Sequence, residues 1–162
     1  MHKVFQTIVD KENGNCMQAA VASLLDMELE EVPHFLELAK EKDTNPNFEE
    51  MKFMHKHGYG YCVIDHKYDS RIGESIKNPI ENLKEYLKYD GGVNGYFYAS
   101  VKSQTFDDIF HAVIIDSDLN IVHDPNPNQL ALKLKPEDIY QVQTNKEGLH
   151  IGINGEIVEA IT

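Results

Sequence analysis

Residues 111–124 read HAVIIDSDLNIVHD. Two short β-rich runs, HAVIID (His111 to Asp116) and NIVHD (Asn120 to Asp124), flank DSDLN, whose Asp, Ser and Asn suit a tight connection. Strands joined this closely pair antiparallel. Just upstream, GYFYASV (Gly95 to Val101) adds another such run, and LHIGI and EIVEAI around Asn154-Gly155 carry a hairpin signal. A helical turn is expected after Pro136. The second half of the chain therefore predicts antiparallel strands.

Working outward, the first half changes period. CMQAAVASLLD (Cys16 to Asp26) has helical apolar spacing, with Asn15 as N-cap after Gly14. A second helix is expected from Val32–Pro33 through HFLELAK, with Pro33 in the first turn. A third covers Phe48 to His57 and stops at Gly58. YGYCVID (Tyr59 to Asp65) reads as a strand. Asn78-Pro79 opens a further helix with Ile80, Leu83, Tyr86 and Leu87 on its apolar stripe. Helices first and antiparallel strands second predict an α+β fold, with the helices on one face or end of a four- to six-stranded sheet.

No repeat, low-complexity tract or linker interrupts the 162 residues, so one domain, 1–162, is expected. With 15 Lys+Arg against 27 Asp+Glu, the net charge is −12, which argues against nucleic acid and against an anionic membrane surface. Nine acids and two lysines between Asp26 and Glu50 make a local charge of −7. That stretch reads as a solvated helix face or as an acidic rim for a basic partner. The sequence carries neither an apolar leader pattern nor a run of membrane-spanning length, so a cytoplasmic protein is expected.

Two cysteines exclude a disulfide scaffold and an all-cysteine zinc site. Cys16 opens an apolar helix, where unpaired N–H groups and the positive end of the helix dipole favour a thiolate. A thiolate nucleophile needs an imidazole to share its proton and a third group to orient that imidazole. His111 begins one strand and Asp124 ends the next. If the two strands pair through DSDLN, both residues meet at one sheet edge. Asn126 or His123 would replace Asp124 if the register slipped. Each residue also has a plain structural reading: Cys16 as small core filler, His111 as an edge histidine, Asp124 as a turn residue before Pro125.

The segments QTIVDKENGNCMQAAVASLL, HAVIID and IVHDPNPNQ, in the order Cys on a helix, His on a strand, Asp on the next, resemble the papain-like cysteine peptidase superfamily. The likeness is to its small bacterial and phage members, similar to bacteriocin-processing peptidase domains; residues Glu41 to Gly92 match nothing in it. It implies a papain-like α+β fold whose helical half carries the nucleophile and packs on the C-terminal sheet. It also implies a thiol hydrolase cleaving a peptide or amide bond through Cys16, His111 and Asp124 and an acyl-enzyme. Gln6 would be the oxyanion donor, although ten positions from Cys16 is longer than the usual spacing. A looped Asp10–Gly14 segment would restore the geometry, with Asn13 and Asn15 as fallback donors. The same machinery serves acyltransferases, transglutaminase-like enzymes and deamidases, and a non-catalytic partner-binding protein is the alternative from another class.

No cofactor motif occurs, and none is expected. His55, His57, Cys62 and His66 are poorly spaced for zinc, and Cys62 is expected as buried strand filling. Tyr59, Tyr61, Tyr96, Phe97 and Tyr98 read as core and sheet-face aromatics, with Tyr96 or Tyr98 as cleft candidates. The expected partner is a peptide, protein or small amide, neutral or basic.

Overall fold

In the computed structural model, which describes residues 1–69 and 71–146 and the backbone of 149–151 and 157–159, helices fill the first half of the chain and strands most of the second. The helices are α1 (Cys16–Leu24), α2 (Phe35–Lys42), α3 (Pro46–Lys56) and α4 (Pro79–Asp90). The strands are β1 (Cys62–Ile64), β2 (Tyr68–Asp69), β3 (Glu74–Ser75), β4 (Tyr96–Lys102), β5 (Phe110–Asp116), β6 (Ile121–His123), β7 (Ile139–Thr144), β8 (Leu149–Ile151) and β9 (Ile157–Glu159). Five form one antiparallel sheet in the order β1-β7-β4-β5-β6, while β2 with β3 and β8 with β9 make two small ladders. The fold is mixed α+β.

Strand alternation divides the core. Tyr98, Ala112 and Ile114 face α1, α2 and α3, packing with Ala19–Ala22, Leu24, Phe35 and Met54. The intervening residues Phe97, Ala99, Val101, Val113 and Ile115 face the other way and pack with Leu83 and Leu87 of α4. Helices thus cover both faces, because α4 carries its own apolar stripe to the reverse side. This corrects the expectation of helices on one face or end. Tyr86, expected on that stripe, is exposed.

Local chemistry explains most boundaries. Asn45 caps α3 by accepting from the Asn47 N–H at 2.8 Å, Pro46 occupies the first turn, and Gly58 leaves the helix at φ +89°. Pro33 does not enter α2; His34 is the N-cap and Pro33 precedes it. Strand β7, which pairs with both β1 and β4, was not anticipated. Beyond the Pro136 turn, found as a short 3-10 segment, IYQVQT hides its apolar signal under two glutamines. The closing hairpin is present as β8 and β9, with Asn154-Gly155 outside the described residues. No helix among the described residues is long and apolar enough to cross a membrane.

Candidate active site

The approach to α1 is a closed loop. Asp10 Oδ1 accepts the N–H groups of Glu12 and Asn13 at 2.9 and 2.8 Å, and the Gly14 and Asn15 N–H groups return to the carbonyls of Asp10 and Ile8. A Cβ on Gly14 would stand 2.6 Å from the Asp10 oxygen, so a side chain there would force the loop open. Asn15 occupies the N-cap position but does not cap the helix. Its Oδ1 accepts from the Thr7 and Ile8 N–H groups, and its Nδ2 donates to Thr7 Oγ1 and Gln18 Oε1. Both amide hydrogens are committed, so the fallback oxyanion role for Asn15 has no donor left. Cys16 follows as the first residue of α1, where a backbone N–H has no partner within the helix.

At the far end of the chain, β5 and β6 pair antiparallel through the expected connection. His111 Nε2 stands 2.6 Å from Asp124 Oδ1, with the two side chains 11% and 1% exposed. Asp124 Oδ1 also accepts the Asn126 N–H at 2.9 Å, and Oδ2 accepts the Ala131 N–H at 3.0 Å. Burial opposes charge on this carboxylate, but His111 and the two backbone donors outweigh it and hold its pKa below the ordinary value. His111 shows the mirror case. Burial disfavours its charged form, yet hydrogen bonds to Asp124 and to the Cys16 sulfur, and the charges behind them, lift it to about 9. With Nε2 on Asp124, Nδ1 is the ring nitrogen left for Cys16. The structure thus brings together Cys16, His111 and Asp124.

The other sequence candidates lie around this group. Gln6 is buried; its Nε2 donates to the Ile8 carbonyl at 2.8 Å, its Oε1 has no partner, and it is not among the cleft-lining residues. Its backbone N–H donates to the Pro125 carbonyl, next to Asp124. Asn13 Oδ1 accepts from Lys40 at 2.6 Å. Asn126 uses its side chain on the Asn128 N–H and Thr105, and His123 Nε2 meets the Val4 carbonyl at 2.7 Å. Neither takes the place of Asp124.

Cys16 and His111 open onto a cleft of about 380 Å³. Phe110 and Tyr140 stack across its rim with ring centroids 4.3 Å apart. Tyr61, Tyr98, Gln143 and Glu50 form part of its wall. Glu50 was read from sequence as part of a solvated acidic face; it is instead 0% exposed. Burial pushes its carboxyl up to about 8 against a single hydrogen bond, from Gln143 Nε2 to Oε1 at 3.1 Å. Its Oε2 and Gln143 Oε1 have no partner. Burial, then Glu50, then Cys16 hold the Tyr98 phenol well above its ordinary value, so Tyr98 stands within electrostatic reach of both groups. A signal for Glu50 was present: Phe53 and Met54 lie three and four residues on, placing Glu50 on the buried stripe of α3.

Cys62 corrects another expectation. It begins the edge strand β1 and is an exposed free thiol, not core filling, because β1 is the outermost strand of the sheet, with one neighbour, and Val63 beside it is exposed as well. Among the described residues no group of three or more His, Cys, Asp or Glu could hold a metal ion. Set against protein-family models, curated proteins and solved structures, the chain matches none of them.

Proposed function

We propose that the protein is a papain-like thiol hydrolase that cleaves a peptide or amide bond through Cys16, His111 and Asp124. One observation carries this reading. Residues from opposite ends of the chain converge, with His111 held between a buried carboxylate 2.6 Å away and the Cys16 sulfur. A histidine raised to about 9 keeps its proton at neutral pH, which suits a thiolate–imidazolium pair.

In the first step the Cys16 sulfur attacks the carbonyl carbon, forming the C–S bond while the carbonyl π electrons move to oxygen. The Cys16 backbone N–H, at the start of α1, donates to that oxyanion; one such donor contributes ~3 kcal/mol of barrier lowering. Gln6 remains the proposed second donor, through the Nε2 hydrogen not engaged by Ile8. His111 Nδ1 gives its proton to the amide nitrogen, the C–N bond breaks and the amine leaves. Water then attacks the thioester and returns a proton to Nδ1, the C–S bond breaks, and acid and thiolate are released. Asp124 holds the ring in one orientation and stabilises its charge throughout. The net charge of −12 favours a neutral or basic substrate over an anionic one. The two free cysteines fit a reducing compartment, so we place the protein in the cytoplasm.

Iodoacetamide labelling tests the pair directly. Cys16 should react faster than a free thiol at pH 5 to 6, with the exposed Cys62 as the internal reference. Equal rates at the two sites across pH 5 to 8 would overturn the reading. Cys16→Ala should keep the fold and abolish amide turnover.

A further inference from the structure

Glu50 and Gln143 come from α3 and β7 and meet at the wall of the cleft that Cys16 and His111 also line. Each is buried, and each has one oxygen without a hydrogen-bond partner. Buried polar atoms are rarely left unpaired, and the gap marks a place where a missing group fits. Gln143 Oε1 is an acceptor, and Glu50 Oε2 becomes one once its carboxyl gives up its proton, so the ionised pair calls for a donor. Tyr61, whose phenol lies within electrostatic reach of Gln143 and Glu50, and Tyr98, which feels both Glu50 and Cys16, add phenol oxygens and ring faces beside the same spot. Aromatic faces favour cations. Among the described residues Lys11 is the only lysine or arginine lining the cleft, and it sits on the loop with Asp10 and Glu12.

We infer that Glu50 and Gln143 form a specificity subsite for a positively charged substrate group, an ammonium or guanidinium close to the bond that is cut. The inference rests on the thiol-hydrolase reading for its location but not for its chemistry. A cation supplies several N–H donors at once, filling Glu50 Oε2 and Gln143 Oε1. It also provides the counter-charge that burial denies the empty carboxyl, so Glu50 ionises as the cation seats. A neutral carboxamide would supply donors but no charge, and an anion would meet two acceptors.

The test uses the full chain in a Cys62→Ser background and peptide amides differing at one position near the cut: Lys, Arg, Gln, norleucine or Glu. Two readouts are taken: turnover, and protection of Cys16 from iodoacetamide by the same peptides. Wild type should favour Lys or Arg over norleucine by about 30-fold or more at one position, and Glu50→Gln should collapse that ratio to near one. Gln143→Met should reduce it, giving a second variant should the first fold poorly. Lysine and arginine arms distinguish the two cations. If Gln or norleucine is handled as well as Lys and Arg, or if Glu50→Gln keeps the ratio, the subsite is refuted. Turnover without preference refutes the subsite alone. Glu50-dependent protection by Lys or Arg peptides without turnover refutes the hydrolase reading alone, and neither signal refutes both.

Discussion

Asp124 and Glu50 are both carboxylates shut away from solvent, at 1% and 0% exposure, yet they are driven in opposite directions. Behind His111, Asp124 receives two backbone N–H groups and an imidazole, and its pKa falls below the ordinary value. In the cleft wall Glu50 receives one side-chain amide, and burial wins, lifting it to about 8. The difference lies in donor count together with depth, since Glu50 is also the more deeply buried of the two. A carboxylate given three donors stays charged and can steady an imidazolium; one given a single donor stays neutral until something arrives.

The most severe way to break this contrast is to remove the charge that is satisfied. Asp124→Asn should lower kcat/KM by about 10²- to 10⁴-fold, since the ring loses its orienting charge. The alkaline limb of the pH–rate profile, expected near 9, should move to lower pH, because the largest influence raising His111 is gone. An unshifted limb in that variant would show that Asp124 does not set the histidine's charge.

The unsatisfied charge gives the next effect, in stability. Folded Glu50 holds its proton up to about 8, while the unfolded chain releases it near 4.5. Its contribution is therefore full below pH 4.5 and is lost as pH rises toward 8. His111, raised from 6.5 to about 9, loses its own contribution between those values. Between pH 4.5 and 6.5 His66 and His123, both held below 6.5 mainly by burial, push stability the other way, so the share of Glu50 is read as the difference between wild type and Glu50→Gln. Across that window the stability of wild type should fall relative to Glu50→Gln by on the order of 2 kcal/mol, read from urea midpoints at each pH. Parallel pH curves for the two proteins would show that Glu50 ionises freely and that its surroundings are wet.

The smallest effect belongs to a residue touching neither carboxylate. Phe110 stacks on Tyr140 at the cleft mouth, 49% and 47% exposed. Phe110→Ala should raise KM by a few-fold with kcat nearly unchanged, since it removes contact that ground and transition states share. A large fall in kcat would mean that the rim positions His111, its chain neighbour.

What the sequence revealed follows from how local each signal is. The pairing of His111 with Asp124 was legible because a short connection fixes which strand ends meet, and the residues lie thirteen apart. Cys16 was legible because a helix start is written in its own neighbours. The loop from Asp10 to Gly14 was legible too, as an interval too long for the spacing it had to serve. Glu50 was hidden by the company of eight other acids, although its spacing to Phe53 and Met54 put it on the inner stripe. Strand β7 was hidden by Gln141 and Gln143, one half-buried and one facing Glu50; polar residues in a central strand mask the alternation that identifies it. The placement of α4 on the reverse face depended on β4 and β5 already being paired, a long-range fact that no window of sequence holds.

The first residues of the chain tie these regions to the order in which the protein is made. Val4 is bonded to Ser23 of α1 and accepts from His123, 119 positions away, and the Gln6 N–H reaches the Pro125 carbonyl. None of these long ties can form until residues 123–125 have left the ribosome. Helix α1 can wind early, but His111 and the ties that fix α1 to the sheet come later, after a slow closure across 119 positions. Synthesis itself therefore keeps Cys16 apart from His111 and Asp124 until the strands that carry them have emerged.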